Sequence, residues 1–126
     1  MSELKFNPDL EILVLDVKLT GKIIVYAKLV LDTGASLTML PWWIAIALGL
    51  KIDLTRLIST TTASSVETSP LTMIPKVTVL GKSVRNVSCL IKDLPPESGI
   101  DGLLGLSFLK NFKLSLDFKR GSLILE

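Results

Sequence analysis

This chain predicts a mostly β domain, closed and largely antiparallel, with one or two short helices. Three observations carry that expectation. Apolar and polar residues alternate with period two around Leu13–Leu19 and again over Lys113–Phe118. Turn signals at Thr20-Gly21-Lys22, Gly81-Lys82 and Lys119-Arg120-Gly121 cut the sequence into short pieces. The helical stretches are too few to alternate with strands as they do in a parallel α/β fold.

The 126 residues make one domain, spanning 1–126, large enough for a real core. With 48% apolar and 21% charged residues, the composition is that of a globular chain and excludes disorder. A mean hydropathy of +0.55 is high for a small domain and points to apolar surface hidden in an interface, a cleft or a membrane. The net charge is +2 and the basic residues are scattered, so no nucleic-acid partner is expected. Histidine is absent, which removes Ser-His-Asp and Cys-His mechanisms and His-based zinc sites. Cys89 is the single cysteine, so no internal disulfide can form; its apolar surroundings predict a buried thiol. No apolar signal-type stretch follows Met1 to Lys5, and a cytoplasmic location is the expectation.

The elements follow in order. Met1 to Asp9 is polar, contains Pro8, and reads as an arm that is loose or crosses to a partner. Leu10 to Leu19 is a strand with Leu13, Leu15, Val17 and Leu19 on one face. Ile23 to Leu31 is a second strand, apolar on both sides except at Lys28, and so expected to be covered on both. Leu37 to Leu40 is a short strand. Pro41 then opens a helix at its first position, Trp42 to Leu48 continue it, and Gly49 stops it. That helix is apolar all round. Burial in the core or in a dimer explains it, and so does membrane contact, but it is too short to span a bilayer.

Leu50 to Leu57 reads as an irregular link. Ile58 to Leu71 is rich in Ser and Thr, as in an exposed loop, although Thr60, Thr61 and Thr62 also suit an exposed strand. Leu71 to Leu80 and Ser83 to Ile91 are strands, with Pro75 marking an edge or an irregularity. Asp93 to Gly99 is a loop, Leu103-Leu104 a short buried strand, and Leu106 to Asn111 a helical stretch. Lys113 to Phe118 and Ser122 to Glu126 are the last two strands.

The stretch with chemistry in it is Leu29-Val30-Leu31-Asp32-Thr33-Gly34-Ala35-Ser36. An apolar strand delivers one carboxylate into a turn, where it is costly unless hydrogen-bonded or functional. Asp32 as a plain turn opener is the other reading.

This segment resembles the active-site loop of the retropepsin-like aspartic proteases, the retroviral type with a single Asp-Thr-Gly motif per chain. A second anchor of the resemblance is Asp101-Gly102-Leu103-Leu104-Gly105-Leu106-Ser107-Phe108-Leu109. The likeness runs from about Ile12 to Glu126 and implies a closed antiparallel β-barrel, one half of a pepsin-like enzyme. It implies that Asp32 is the catalytic residue. Thr33 matches the position whose hydroxyl bonds across a dimer, and Gly34 the one whose N–H reaches a carboxylate. Ala35 fits where space is short. Ser36 stands where a hydroxyl could bond the outer oxygen of Asp32, and Leu104 and Gly105 support the loop. Ile58 to Leu71 would be the flap over the substrate, with Thr61, Thr62, Ala63, Ser64, Ser65 and Val66 at or near its tip. The glycine-rich tip of retroviral members is missing, since no glycine occurs between Leu50 and Leu80.

The chemistry implied is water activation by two carboxylates that share one proton, because like charges so close cannot both ionise. It needs no cofactor and no metal. Asp-Thr-Gly occurs once, and Asp101-Gly102 reads as a turn, so the second carboxylate is expected from a homodimer with Asp32 of each chain at the axis. The substrate would be a peptide or protein, and a membrane is not expected as a partner. Two rival readings remain. One is a non-catalytic peptide-binding or dimerisation module on the same fold. The other is phosphoryl transfer through an aspartyl-phosphate, which calls for more acidic residues near Asp32 and a doubly wound α/β core.

Overall fold

The computed structural model describes residues 2–61 and 65–126. Ten strands and two short helices follow one another as β1 Ser2–Lys5, β2 Val14–Thr20, β3 Ile24–Leu31, β4 Thr38–Leu40, α1 Trp42–Ala47, β5 Asp53–Thr61, β6 Val66–Val79, β7 Lys82–Ile91, β8 Gly102–Leu104, α2 Leu106–Leu109, β9 Leu114–Asp117 and β10 Ser122–Leu125. The large sheet runs β2-β3-β8-β4-β7-β6-β5, and β2 also pairs with β6. That extra pairing closes six strands into a barrel and leaves β5 outside it. Beside the barrel lies a three-stranded sheet, β1-β10-β9. The mostly β barrel with short helices agrees with the expected class.

The period-two pattern places the core. Leu15, Val17 and Leu19 point inward from β2 and meet Leu29, Val77, Cys89 and Phe108, all buried. The β6–β7 turn falls on Leu80 and Gly81, both with positive φ, the conformation a two-residue hairpin loop requires. Pro75 lies where β6 has left β5, last paired at Leu71, and has yet to meet β2 at Lys76, so its missing N–H costs no ladder bond there.

Several expectations are corrected. Ser2–Lys5 is no loose arm; it pairs with β10 of its own chain, Ser2 opposite Leu125 through Lys5 opposite Ser122. Leu4 from this strand and Phe6 just after it pack against the core, a pattern too short to register as periodicity. The next strand starts at Val14, later than Leu10, because Asn7 turns the chain by accepting the Asp9 N–H at 3.0 Å and the Leu10 N–H at 3.2 Å. β3 is covered on one side only over its first half, where Ile24 and Tyr26 are exposed. The stretch read as an irregular link holds most of the first half of β5. A bulge between Asp53 and Leu57 and an Asp53 side chain that accepts the Thr55 N–H give it its turn-like look.

α1 begins after Pro41, which caps rather than enters the helix. The cap is completed from a distance, as Asp93 Oδ1 accepts the Trp42 N–H at 3.0 Å. Gly49, at φ +68°, and Leu50 close the other end by donating to Ile46 and Ala45. Ile44, Ala45 and Leu48 are buried, whereas Trp43 and Ile46 face outward. One face of this apolar helix is therefore core and the other is not. Among the described residues, no helix is long and apolar enough to cross a membrane.

Candidate active site

Asp32 leaves the end of β3 with its backbone already anchored. β8 lies parallel to β3, with Leu31 opposite Leu104, and the Asp32 N–H donates to the Leu104 carbonyl at 3.1 Å. On the other side Leu31 donates to the Leu13 carbonyl at 2.8 Å. The loop then folds on itself. Gly34 N–H donates to Asp32 Oδ1 at 2.9 Å, and Ala35 N–H reaches the Asp32 carbonyl at 3.3 Å. One carboxylate oxygen is thus held by the main chain, which fixes the direction of the other.

The loop is braced from below by α2. Leu106 N–H donates to Ala35 O at 2.8 Å and Ser107 N–H to Ser36 O at 3.0 Å. These bonds satisfy the first donors of a helix that has no side-chain cap. The approach is so close that a Cβ on Gly105 would stand 2.5 Å from Leu37 O and 2.8 Å from Ala35 O. A Cβ on Gly102 would stand 2.0 Å from Met39 O. The two glycines that bracket Leu103-Leu104 are there to let β8 slide between β3 and β4.

Two residues that sequence reasoning missed lock this packing. Thr38 is fully buried on β4. Its hydroxyl accepts the Gly105 N–H at 3.2 Å and lies 3.1 Å from the Ser107 hydroxyl, which in turn accepts the Thr38 N–H at 2.9 Å. A Thr in a three-residue strand gives no sequence signal of its own; only the antiparallel crossing of Met39 and Leu103 brings it beneath the loop.

The other expected residues fall as follows. Thr33 and Ser36 are exposed, and the Ser36 hydroxyl makes no hydrogen bond to Asp32 within this chain; its carbonyl is the group engaged. Thr61 pairs with Val66 at the end of the β5–β6 hairpin, with Ser65 just before the returning strand. Thr62, Ala63 and Ser64 lie outside the described residues. Asp101 holds β3: its Oδ2 accepts the Lys28 N–H at 2.8 Å, and its own N–H donates to Lys28 O. The Asp101 carboxylate is therefore engaged in structure, and so is that of Asp93 at the cap of α1. No cluster of three or more metal-ligating side chains is present among the described residues.

Hollows open beside the loop, one of about 230 Å³ walled by Ser36, Leu37, Ser107 and Asn111 among others. Another of about 270 Å³ is walled by Leu10, Ile12, Leu31, Thr33, Leu116 and Phe118 among others. A larger one of about 820 Å³ lies between α1 and the 93–101 loop, and Asp32 does not line it.

A barrel in which an Asp-Thr-Gly loop is pinned by an inserted strand and a following helix defines a class. The aspartyl protease family model matches residues 15–108, and the chain belongs to that family. Within it the chain is retropepsin-like. Its structure is similar to that of a retropepsin-like aspartic protease from Rickettsia conorii, with 27% identity, a TM-score of 0.69 and 99% of each chain covered. No significant match is found among curated protein sequences.

Proposed function

We propose that this chain is an aspartic endopeptidase that acts as a homodimer, with Asp32 of each copy activating one water between them. The observation that carries the reading is the Asp32 loop itself. A carboxylate with one oxygen held at 2.9 Å by Gly34 N–H is preorganised, while Asp101 and Asp93, on the loop after β7, are engaged in backbone bonds. A lone carboxylate does little to a peptide bond; two that share a proton supply both base and acid. The ionised member takes a proton from water, the oxygen of that water attacks the carbonyl carbon, and the protonated member donates to the carbonyl oxygen. Collapse of the tetrahedral intermediate then breaks the C–N bond: the carboxyl that took the water's proton gives it to the leaving nitrogen, and the other carboxylate takes a proton back from a hydroxyl of the gem-diol as the new acid forms, which restores the singly protonated pair.

On this reading Thr33 bonds across the axis and stiffens the two loops, and the β5–β6 hairpin is the flap. Leu54, Leu57 and Ile58 on β5 are exposed apolar residues on a strand outside the barrel. They suit a surface that closes on a peptide or on the second copy. A peptide substrate would lie extended in the cleft.

The test is peptidase activity on a library of unstructured peptides, measured against pH. A two-sided profile is expected, because only the singly protonated pair works. Activity that rises steadily into alkaline pH, or survives in the Asp32→Asn variant, overturns the proposal.

A further inference from the structure

β6 and β7 change face together partway along their ladder. On β6, Ile74 and Val77 are buried, and the two residues between them, Pro75 and Lys76, are not. On β7, Val84 packs against the core and Val87 is buried, with Arg85 and Asn86 exposed between them. A strictly alternating strand puts only one residue between inward positions. Asn86 makes the change on β7 by taking φ +57°, a left-handed conformation in which asparagine is one of the few tolerated side chains.

The register sets Lys76 directly opposite Arg85. Like charges in that position are destabilising. Neither joins an ion pair among the described residues, where the pairs are Lys5 with Glu3, Lys28 with Asp16 and Lys92 with Glu67. A strained residue and an uncompensated pair of cations thus occur side by side, as at sites where strain serves a purpose.

Arg85 and Asn86 both line the hollow of about 230 Å³ beside the Asp32 loop. Ser36 lines it from the loop, Ser88 from further along β7, and Lys110 from the end of α2, and no carboxylate stands in its wall. The Arg85 guanidinium, the Lys110 ammonium, the Asn86 amide and the Ser36 and Ser88 hydroxyls have no hydrogen-bond partner among the described residues.

We propose that this hollow binds a small tetrahedral oxyanion of the phosphate class. The guanidinium and the ammonium supply two positive charges, and the hydroxyls and the amide supply neutral donors. A tetrahedral anion turns oxygens in every direction, which suits donors that converge from a loop, a strand and a helix end. A planar carboxylate offers acceptors on one side only. The hollow has room for such an ion with part of its water, since one water takes about 30 Å³. The negative charge would offset the repulsion between Lys76 and Arg85, and that gives the like-charged pair a use.

The ion would also touch what braces Asp32. The Ser36 carbonyl accepts the Ser107 N–H at 3.0 Å, and the Ser107 hydroxyl lies 3.1 Å from that of Thr38. An anion that bridges Ser36 to Lys110 and Arg85 ties the same loop to α2 and β7 from outside. This binding does not depend on the peptidase reading and is measured without a peptidase assay.

The experiment titrates the full chain with inorganic phosphate at constant pH and ionic strength, following backbone amides by NMR. Saturable shifts are expected at Ser36, Asn86, Ser88 and Lys110. Phosphate at about ten times its dissociation constant should raise the thermal midpoint by about 5 °C. Arg85→Gln should weaken binding by about tenfold or more, and Lys110→Gln by a similar factor, because each removes a charge-assisted bond. The double variant should show no saturable response. Without phosphate, Arg85→Gln should keep or raise the midpoint, since it removes the repulsion from Lys76. Phenyl phosphate, titrated in parallel, separates the two sources of the group. A response to inorganic phosphate alone assigns the free ion, and a response that includes the ester assigns a phosphoryl group carried on a larger molecule. Shifts that never saturate, or that are equal in the wild type and the double variant, reduce the effect to general salt exclusion and overturn the site. A lower midpoint for phosphate-free Arg85→Gln marks the guanidinium as structural and overturns it too.

Discussion

The Gly105 N–H donates to the hydroxyl of Thr38 at 3.2 Å, joining the strand after the Asp32 loop to the helix that braces it. Thr38 lies 67 positions away in sequence and is fully buried, so nothing but this fold satisfies that donor. Thr38→Val keeps the shape and removes the oxygen. The buried Gly105 N–H then loses its acceptor, and the half-buried Ser107 hydroxyl loses one partner. Urea denaturation should show a loss of roughly 1–3 kcal/mol, with Thr38→Ser losing much less. Equal losses for the two variants would mean that the methyl group, and not the hydroxyl, matters.

Gly105→Ala tests the close approach beneath Asp32. The added methyl group meets two backbone carbonyls, which cannot rotate away as side chains do. A destabilisation of at least about 2 kcal/mol is expected. Peptidase activity should fall even where the variant remains folded, because the Ala35 and Leu37 carbonyls must shift. A fully active, fully stable Gly105→Ala would contradict the packing described.

Mixing chains distinguishes a shared site from a private one. Wild-type and Asp32→Asn chains, unfolded together in equal amounts and refolded, should give about a quarter of dimers with both carboxylates. Activity per chain should then be about a quarter of the wild-type value, against about half for an enzyme whose dyad lies within one chain. Mass spectrometry confirms that chains exchanged.

Burial pushes the Cys89 thiol up from its ordinary value of 9.0 to about 12. The folded state therefore holds the proton more tightly than the unfolded one. The contribution is complete below pH 9 and is lost as pH rises from there toward 12, at about 1.4 kcal/mol per unit. Denaturation midpoints of the wild type should fall more steeply over that window than those of Cys89→Ala. At neutral pH a thiol reagent should modify Cys89 only in denaturant.

If the β5–β6 hairpin closes over substrate, a peptide-like inhibitor should slow amide exchange within Ile58 to Leu71. Protection confined to other segments would remove the flap role from this hairpin.

Strands and core were legible where the period-two pattern ran long. Leu15, Val17 and Leu19 are inside as expected, and Gly49 ends its helix with positive φ. The Asp-Thr-Gly loop and the Gly102–Gly105 stretch were visible as residues. What joins them was not. Thr38 and Ser107 act through a contact set by strand insertion, which no local pattern encodes. β1 and the first half of β5 were missed because β1 is only four residues long and β5 is exposed along its described length, so neither repeats an inward position often enough to show a period. The Asp93 cap of α1 failed to register because it is supplied from 51 positions away.

The insertion of β8 between β3 and β4 also sets an order of events. The strand that props Asp32 comes from the last fifth of this sequence, so the Asp32 loop stays unbraced while the earlier strands emerge from the ribosome. Contacts of such high sequence separation form late and slowly. On the peptidase reading proposed above, a chain still short of β8 would lack the carbonyl that holds the Asp32 N–H, so cutting would wait for the last strands.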